Sequence, residues 1–128
     1  MLSITAIYAS LLALLLLVLT ARVIRHRRSE RVAIGDGGDE DLIWRIRAHA
    51  NCAEYVPIGV VLLALVELQG APGFAVHLLG IALLVGRILH GIGLSVRPQI
   101  MMLRVQGMLL TLIMIAVSAL GLLVHAIF

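Results

Sequence analysis

An all-α, integral membrane four-helix bundle is the fold this sequence predicts, and three observations predict it. The chain is 62% hydrophobic and 13% charged, with a mean hydropathy of +1.11, well outside the balance of an average soluble domain. Four long apolar segments, at 1–21, 42–68, 73–96 and 99–128, use nearly all of its 128 residues. Its basic residues are all arginines, gathered mainly beside alternate connections. A spanning helix needs about 20 predominantly apolar residues, and its backbone must hydrogen-bond within itself because no water is present. The expected architecture is one transmembrane domain over 1–128, with helices at about 1–24, 42–68, 73–96 and 99–127 and a cytoplasmic loop over 25–41.

The first segment competes with a removable signal peptide. That reading fits poorly: no Lys or Arg precedes the apolar run, the run exceeds the usual core of a signal, and the basic cluster follows it. Retention as a true helix is expected. Arg22, Arg25, Arg27, Arg28 and Arg31 flank the first connection, and Arg97 and Arg104 flank the third. The second connection, Gln69-Gly70-Ala71-Pro72, and both chain ends carry no Lys or Arg. The positive-inside rule then puts the first and third connections in the cytoplasm and both termini outside. A basic run of this kind is more often a topology determinant than a lipid-headgroup site. Gly35-Asp36-Gly37-Gly38 reads as a turn within a solvated linker.

The second helix contains the anomaly. Arg47, His49, Asn51 and Glu54 lie inside an apolar segment, although ionisable groups at membrane depth cost roughly 3 kcal/mol each to insert. Counted from Leu42, Arg47 is about 8 Å along the helix and Glu54 about 18 Å. At about 100° per residue, Arg47, Asn51 and Glu54 share a narrow arc with Tyr55 at its edge, whereas His49 points to the opposite side. His49 must serve a neighbouring helix or subunit.

The third helix runs back toward the cytoplasm and carries Arg87 and His90 on one face of that half. Arg104, near the start of the fourth, sits at a similar level. Two explanations fit this convergence. An internal network is one: Arg47 snorkels, Glu54 pairs with Arg87 and His90 bonds a carbonyl, which only locks the packing. Against it stands a surplus of cations, since one intramembrane Glu54 cannot neutralise Arg47, Arg87 and Arg104. An anionic ligand entering from the cytoplasm restores the balance.

Other residues carry less. Glu67 and His77 lie near the outer helix ends and His125 next to the chain end, so these read as structural. Gly80, Ala82, Gly86, Gly107 and Ser118 fit close helix packing. Cys52 is the only cysteine, which excludes an internal disulfide. No metal site, phosphate-binding glycine loop or nucleic-acid patch is present in the pattern.

The segment Arg47-Ala48-His49-Ala50-Asn51-Cys52-Ala53-Glu54-Tyr55-Val56-Pro57 resembles the second-helix signature of the MAPEG proteins, membrane-associated proteins in eicosanoid and glutathione metabolism. Gly86-Arg87-Ile88-Leu89-His90-Gly91-Ile92-Gly93-Leu94 resembles the third-helix signature of that family. Order, spacing and chain length match its short bacterial members. The resemblance implies a bacterial inner-membrane homotrimer among membrane lipids, with glutathione as co-substrate bound between subunits in the cytoplasmic leaflet. It implies a glutathione-dependent transferase or peroxidase acting on a small lipophilic electrophile. Arg47, Asn51, Glu54, Tyr55, Arg87 and His90 would occupy ligand-contact positions, with His49 completing the candidate glutathione-binding set. Arg104 is the candidate for stabilising the thiolate, with Arg97 as its competitor. Leu94 stands where family enzymes often have tyrosine. That departure keeps open a non-catalytic lipid- or glutathione-binding scaffold. A small proton-coupled exporter is a third alternative, disfavoured because the chain is only 4% aromatic.

Overall fold

The computed structural model describes residues 1–128 as four helices and no strand: α1 Ser3–Glu30, α2 Glu40–Leu68, α3 Gly73–Ser95 and α4 Met101–Ile127. All four are long and apolar enough to cross a membrane. The shortest, at 23 residues, measures about 35 Å, which exceeds the roughly 30 Å hydrocarbon core.

α1 continues past the expected boundary at 24 and ends at Glu30. The apolar run marks where the membrane ends, not where the helix must end. Arginine is a good helix former, and Arg27 and Arg28 in the last turn face the negative end of the helix dipole. α2 begins two residues before its expected start because Asp39 caps it, its carboxylate accepting the Leu42 N–H at 2.9 Å. Glu40 and Asp41 complement the positive end.

α1 packs against α2 and α3, and α4 packs against α2 and α3. One core cluster joins Tyr8, Leu12, Leu63, Val76, Leu83 and Met114; a second, nearer the basic end, joins Leu19, Ala48, Cys52 and Leu94. Lipid contributes no hydrophobic drive between helices, so close approach must come from small residues. Gly86 and Gly107 provide it. A Cβ on Gly86 would lie 2.8 Å from the Gly107 carbonyl oxygen, and one on Gly107 would run into the Gly86 carbonyl and the His90 backbone nitrogen. The backbones of α3 and α4 therefore touch one residue before Arg87.

The end away from the arginine-rich connections is closed by polar contacts of its own. Glu67 accepts the Ile4 N–H at 3.0 Å and the Thr5 N–H at 2.7 Å, so α2 caps the start of α1. Tyr8 and His77 hydrogen-bond at 2.9 Å. The structural reading of Glu67 and His77 follows from these bonds.

Candidate functional site

Arg87 is the centre of the polar cluster. It is 1% exposed, and its side chain reaches from α3 to α2 and α4. Nη1 donates to Asn51 Oδ1 on α2 at 2.6 Å, and Nε donates to Thr111 Oγ1 on α4 at 2.9 Å. Thr111 Oγ1 in turn donates to the Gly107 carbonyl at 3.0 Å. The guanidinium carbon also lies 5.3 Å from the centre of the Tyr55 ring. Every partner is neutral. The ion pairs of the chain are His26–Asp39, Arg97–Glu40 and Arg97–Asp41, so the buried Arg87 charge has no carboxylate. Burying an unpaired cation costs several kcal/mol.

Glu54 is not that partner. It and Arg47 are exposed on the outer face of α2. They belong to a stripe of Arg47, Asn51, Glu54, Ile58, Val61, Leu65 and Leu68 that alternates steps of four and three residues, the spacing of a seam facing another helix. Ile58, Val61, Leu65 and Leu68 are 47%, 52%, 42% and 62% exposed. Lipid can cover the apolar half. The polar half lies at a depth where lipid contact is costly.

His49 is half-buried and lies off this stripe, as its helical phase requires. His90 is buried against the Gly107 backbone, one turn from Arg87 on the same face of α3. Leu94 is buried with Leu19, Ala48 and Cys52. At that position the chain has neither a hydroxyl nor an open wall.

The two competing arginines near the third connection have different surroundings. Arg97 is held by α2: Nε donates to Asp41 Oδ1 and Nη2 to the Glu40 carbonyl, each at 3.0 Å. Arg104 meets no carboxylate. Its Nη1 donates to Gln99 Oε1 at 2.7 Å, while its Nε is buried without a partner. Both guanidinium groups lie over the ring of Trp44, at 5.3 and 6.0 Å from its centre, within the range of cation–π attraction.

Trp44, Gln99, Ser95 and Thr111 were not singled out from the sequence. Trp44 Nε1, Gln99 Nε2, Ser95 Oγ and Arg104 Nε are buried polar atoms without a partner, and they gather around the third connection. Three of the four are N–H donors. Buried donors without partners are costly and call for an acceptor; the carboxylates nearest this cluster, Asp41 and Glu40, are bound to Arg97. Trp44 had a readable signal, being the only tryptophan and one turn before Arg47; Thr111 had none.

A profile described as the MAPEG family matches residues 5–124 of the chain. The chain is also similar to the inner membrane protein YecN of Escherichia coli strain K12, with 47% identity over 90 residues covering 70% of this chain and 69% of the relative. The protein of the same name in Escherichia coli O6:H1, strain CFT073, matches to the same extent.

Proposed function

The chain belongs to the MAPEG family, and on that premise we propose that it is a membrane-bound glutathione-dependent transferase or peroxidase acting on lipophilic electrophiles. The observation that carries this reading is the buried Arg87 charge with only neutral partners. Glutathione has two carboxylates, an ammonium and a thiol, so it asks for several cations and one anion. Arg47 and Arg87 suit the carboxylates because a guanidinium donates two parallel hydrogen bonds. Glu54 suits the ammonium, and Asn51 has an amide N–H pair free while its oxygen holds Arg87.

Two features support a site shared between subunits of a homotrimer in the inner membrane. Arg47 and Glu54 face outward from the single chain, and the stripe that holds them has the spacing of a helix-facing seam. The cytoplasmic side is the one the arginine distribution favours, with both ends periplasmic.

In the chemical step, a cation beside the thiol lowers its pKa from about 8.5 and raises the thiolate population, and the thiolate is the nucleophile. Arg104 fits this role better than Arg97, because Arg97 is already held by Asp41 and Glu40. Binding measured by calorimetry and conjugation of a model aryl halide test the function. Arg104→Ala should abolish the thiolate absorbance that glutathione develops on binding while leaving the oligomer intact. Equal loss with Arg97→Ala alone would move the role to Arg97; absence of both binding and conjugation in the native protein would overturn the proposal.

A second reading, a binding protein without turnover, is favoured by Leu94, which packs into the interior and leaves no hydroxyl at that position. Glutathione binding without conjugation of any of several electrophiles would select it.

A further inference from the structure

We propose that a polar cleft between the end of α1 and the start of α2 binds a phosphate-bearing anion, the headgroup of an anionic lipid. The cleft, of about 430 Å3, is lined by Arg22, Arg25, His26, Ser29 and Arg45 and by no apolar residue. Four of these come from one face of α1, at steps of three and four residues. Arg45 joins them from α2. A topology signal requires only arginines on the proper side of the membrane; it does not require them to converge from two helices on one recess.

None of the three arginines is in an ion pair. Two carboxylates stand at the rim of the cleft, each bonded to His26 or Ser29 rather than to an arginine. Asp39 bonds His26 at 2.9 Å and caps α2 through Leu42, and Glu30 accepts from Ser29 Oγ at 2.9 Å. Even counting both carboxylates, a cationic surplus remains. Three guanidinium groups around one cleft repel one another, and a phosphate relieves the repulsion while matching their paired donors.

Depth identifies the source of the phosphate. Arg22 lies 19 residues beyond Ser3, about 29 Å along the helix, close to the thickness of the hydrocarbon core. Arg25, His26 and Ser29 then project into the headgroup layer, where lipid phosphates are. One wall is held by the bond of His26 to Asp39, and beside the cleft Arg27 Nη1 donates to the Gly35 carbonyl at 2.6 Å, folding the loop back on α1. This cleft shares no residue with the Arg87 cluster, and failure of glutathione to bind would leave it untouched.

Native mass spectrometry of the full-length protein, released from mixed phosphatidylglycerol and phosphatidylcholine micelles, tests the proposal. The native chain should retain phosphatidylglycerol over phosphatidylcholine. The double variant Arg25→Gln/Arg45→Gln should weaken retention about a hundredfold, at roughly tenfold per charge-assisted contact, whereas Arg28→Gln, outside the cleft, should cost no more than the roughly fivefold of a single surface arginine. Circular dichroism confirms that the helices persist, and Arg25→Lys/Arg45→Lys keeps the charge if the glutamine pair does not fold. Displacement of the lipid by millimolar inorganic phosphate would retain the phosphate chemistry but assign its source to solution. Equal retention of the two lipids by the native chain, or undiminished retention by the glutamine pair, would overturn the proposal.

Discussion

Replacing Asn51 by aspartate separates an anion site from a packing device, because the substitution changes charge and almost nothing else. Asn51 Oδ1 accepts from Arg87 Nη1 at 2.6 Å. A carboxylate there would place its charge about 4 Å from the guanidinium centre, and at an effective dielectric constant near 20 the attraction is about 4 kcal/mol. Some of that gain is offset by desolvating the new anion, so the bundle is expected to keep or modestly raise its melting temperature in detergent. A ligand carboxylate competing for Arg87 faces the opposite change. Losing about 4 kcal/mol of attraction weakens binding by about three orders of magnitude. Calorimetry with glutathione on the native chain and on Asn51→Asp reads the effect, and circular dichroism shows that the variant is folded. Undiminished affinity in a folded Asn51→Asp protein would refute Arg87 as the anion anchor.

Three further outcomes follow from the same geometry. Trp44→Phe keeps a ring beneath Arg97 and Arg104 but removes the unpaired Nε1–H, so glutathione affinity should fall about two- to tenfold, the worth of one neutral hydrogen bond; unchanged calorimetric affinity would remove the indole from the site. Gly107→Ala forces α3 and α4 apart where their backbones touch and should destabilise the bundle by about 1–3 kcal/mol, which thermal unfolding would show; an unchanged melting temperature would contradict the close approach. The Asp39 carboxyl is held below its ordinary range first by the Leu42 N–H and then by His26, so what it contributes is fully present above about pH 4 and is lost as pH falls through its lower folded-state pKa. Hydrogen-exchange protection of the first turn of α2 should accordingly decline below about pH 4 in the native chain; the same decline in Asp39→Asn would place its cause elsewhere.

The amino-acid sequence alone determined that four helices cross a membrane, because hydropathy summed along a segment is a local quantity that needs no knowledge of neighbours. It also located the Arg47 to Glu54 cluster, its division by helical phase and the MAPEG signatures. The family profile over residues 5–124 and the four spanning helices agree with that reading. Only the tertiary structure decided which polar groups meet. Arg87 bonds Asn51 and Thr111 instead of Glu54, Glu67 caps the start of α1, and Trp44 lies beneath two arginines. Such pairings depend on how each helix is rotated and how closely it approaches its neighbour, which here is set at Gly86 and Gly107. A hydrogen bond fades within half an ångström of its optimum, so residue types fix the available donors and acceptors while only the packed bundle fixes their partners.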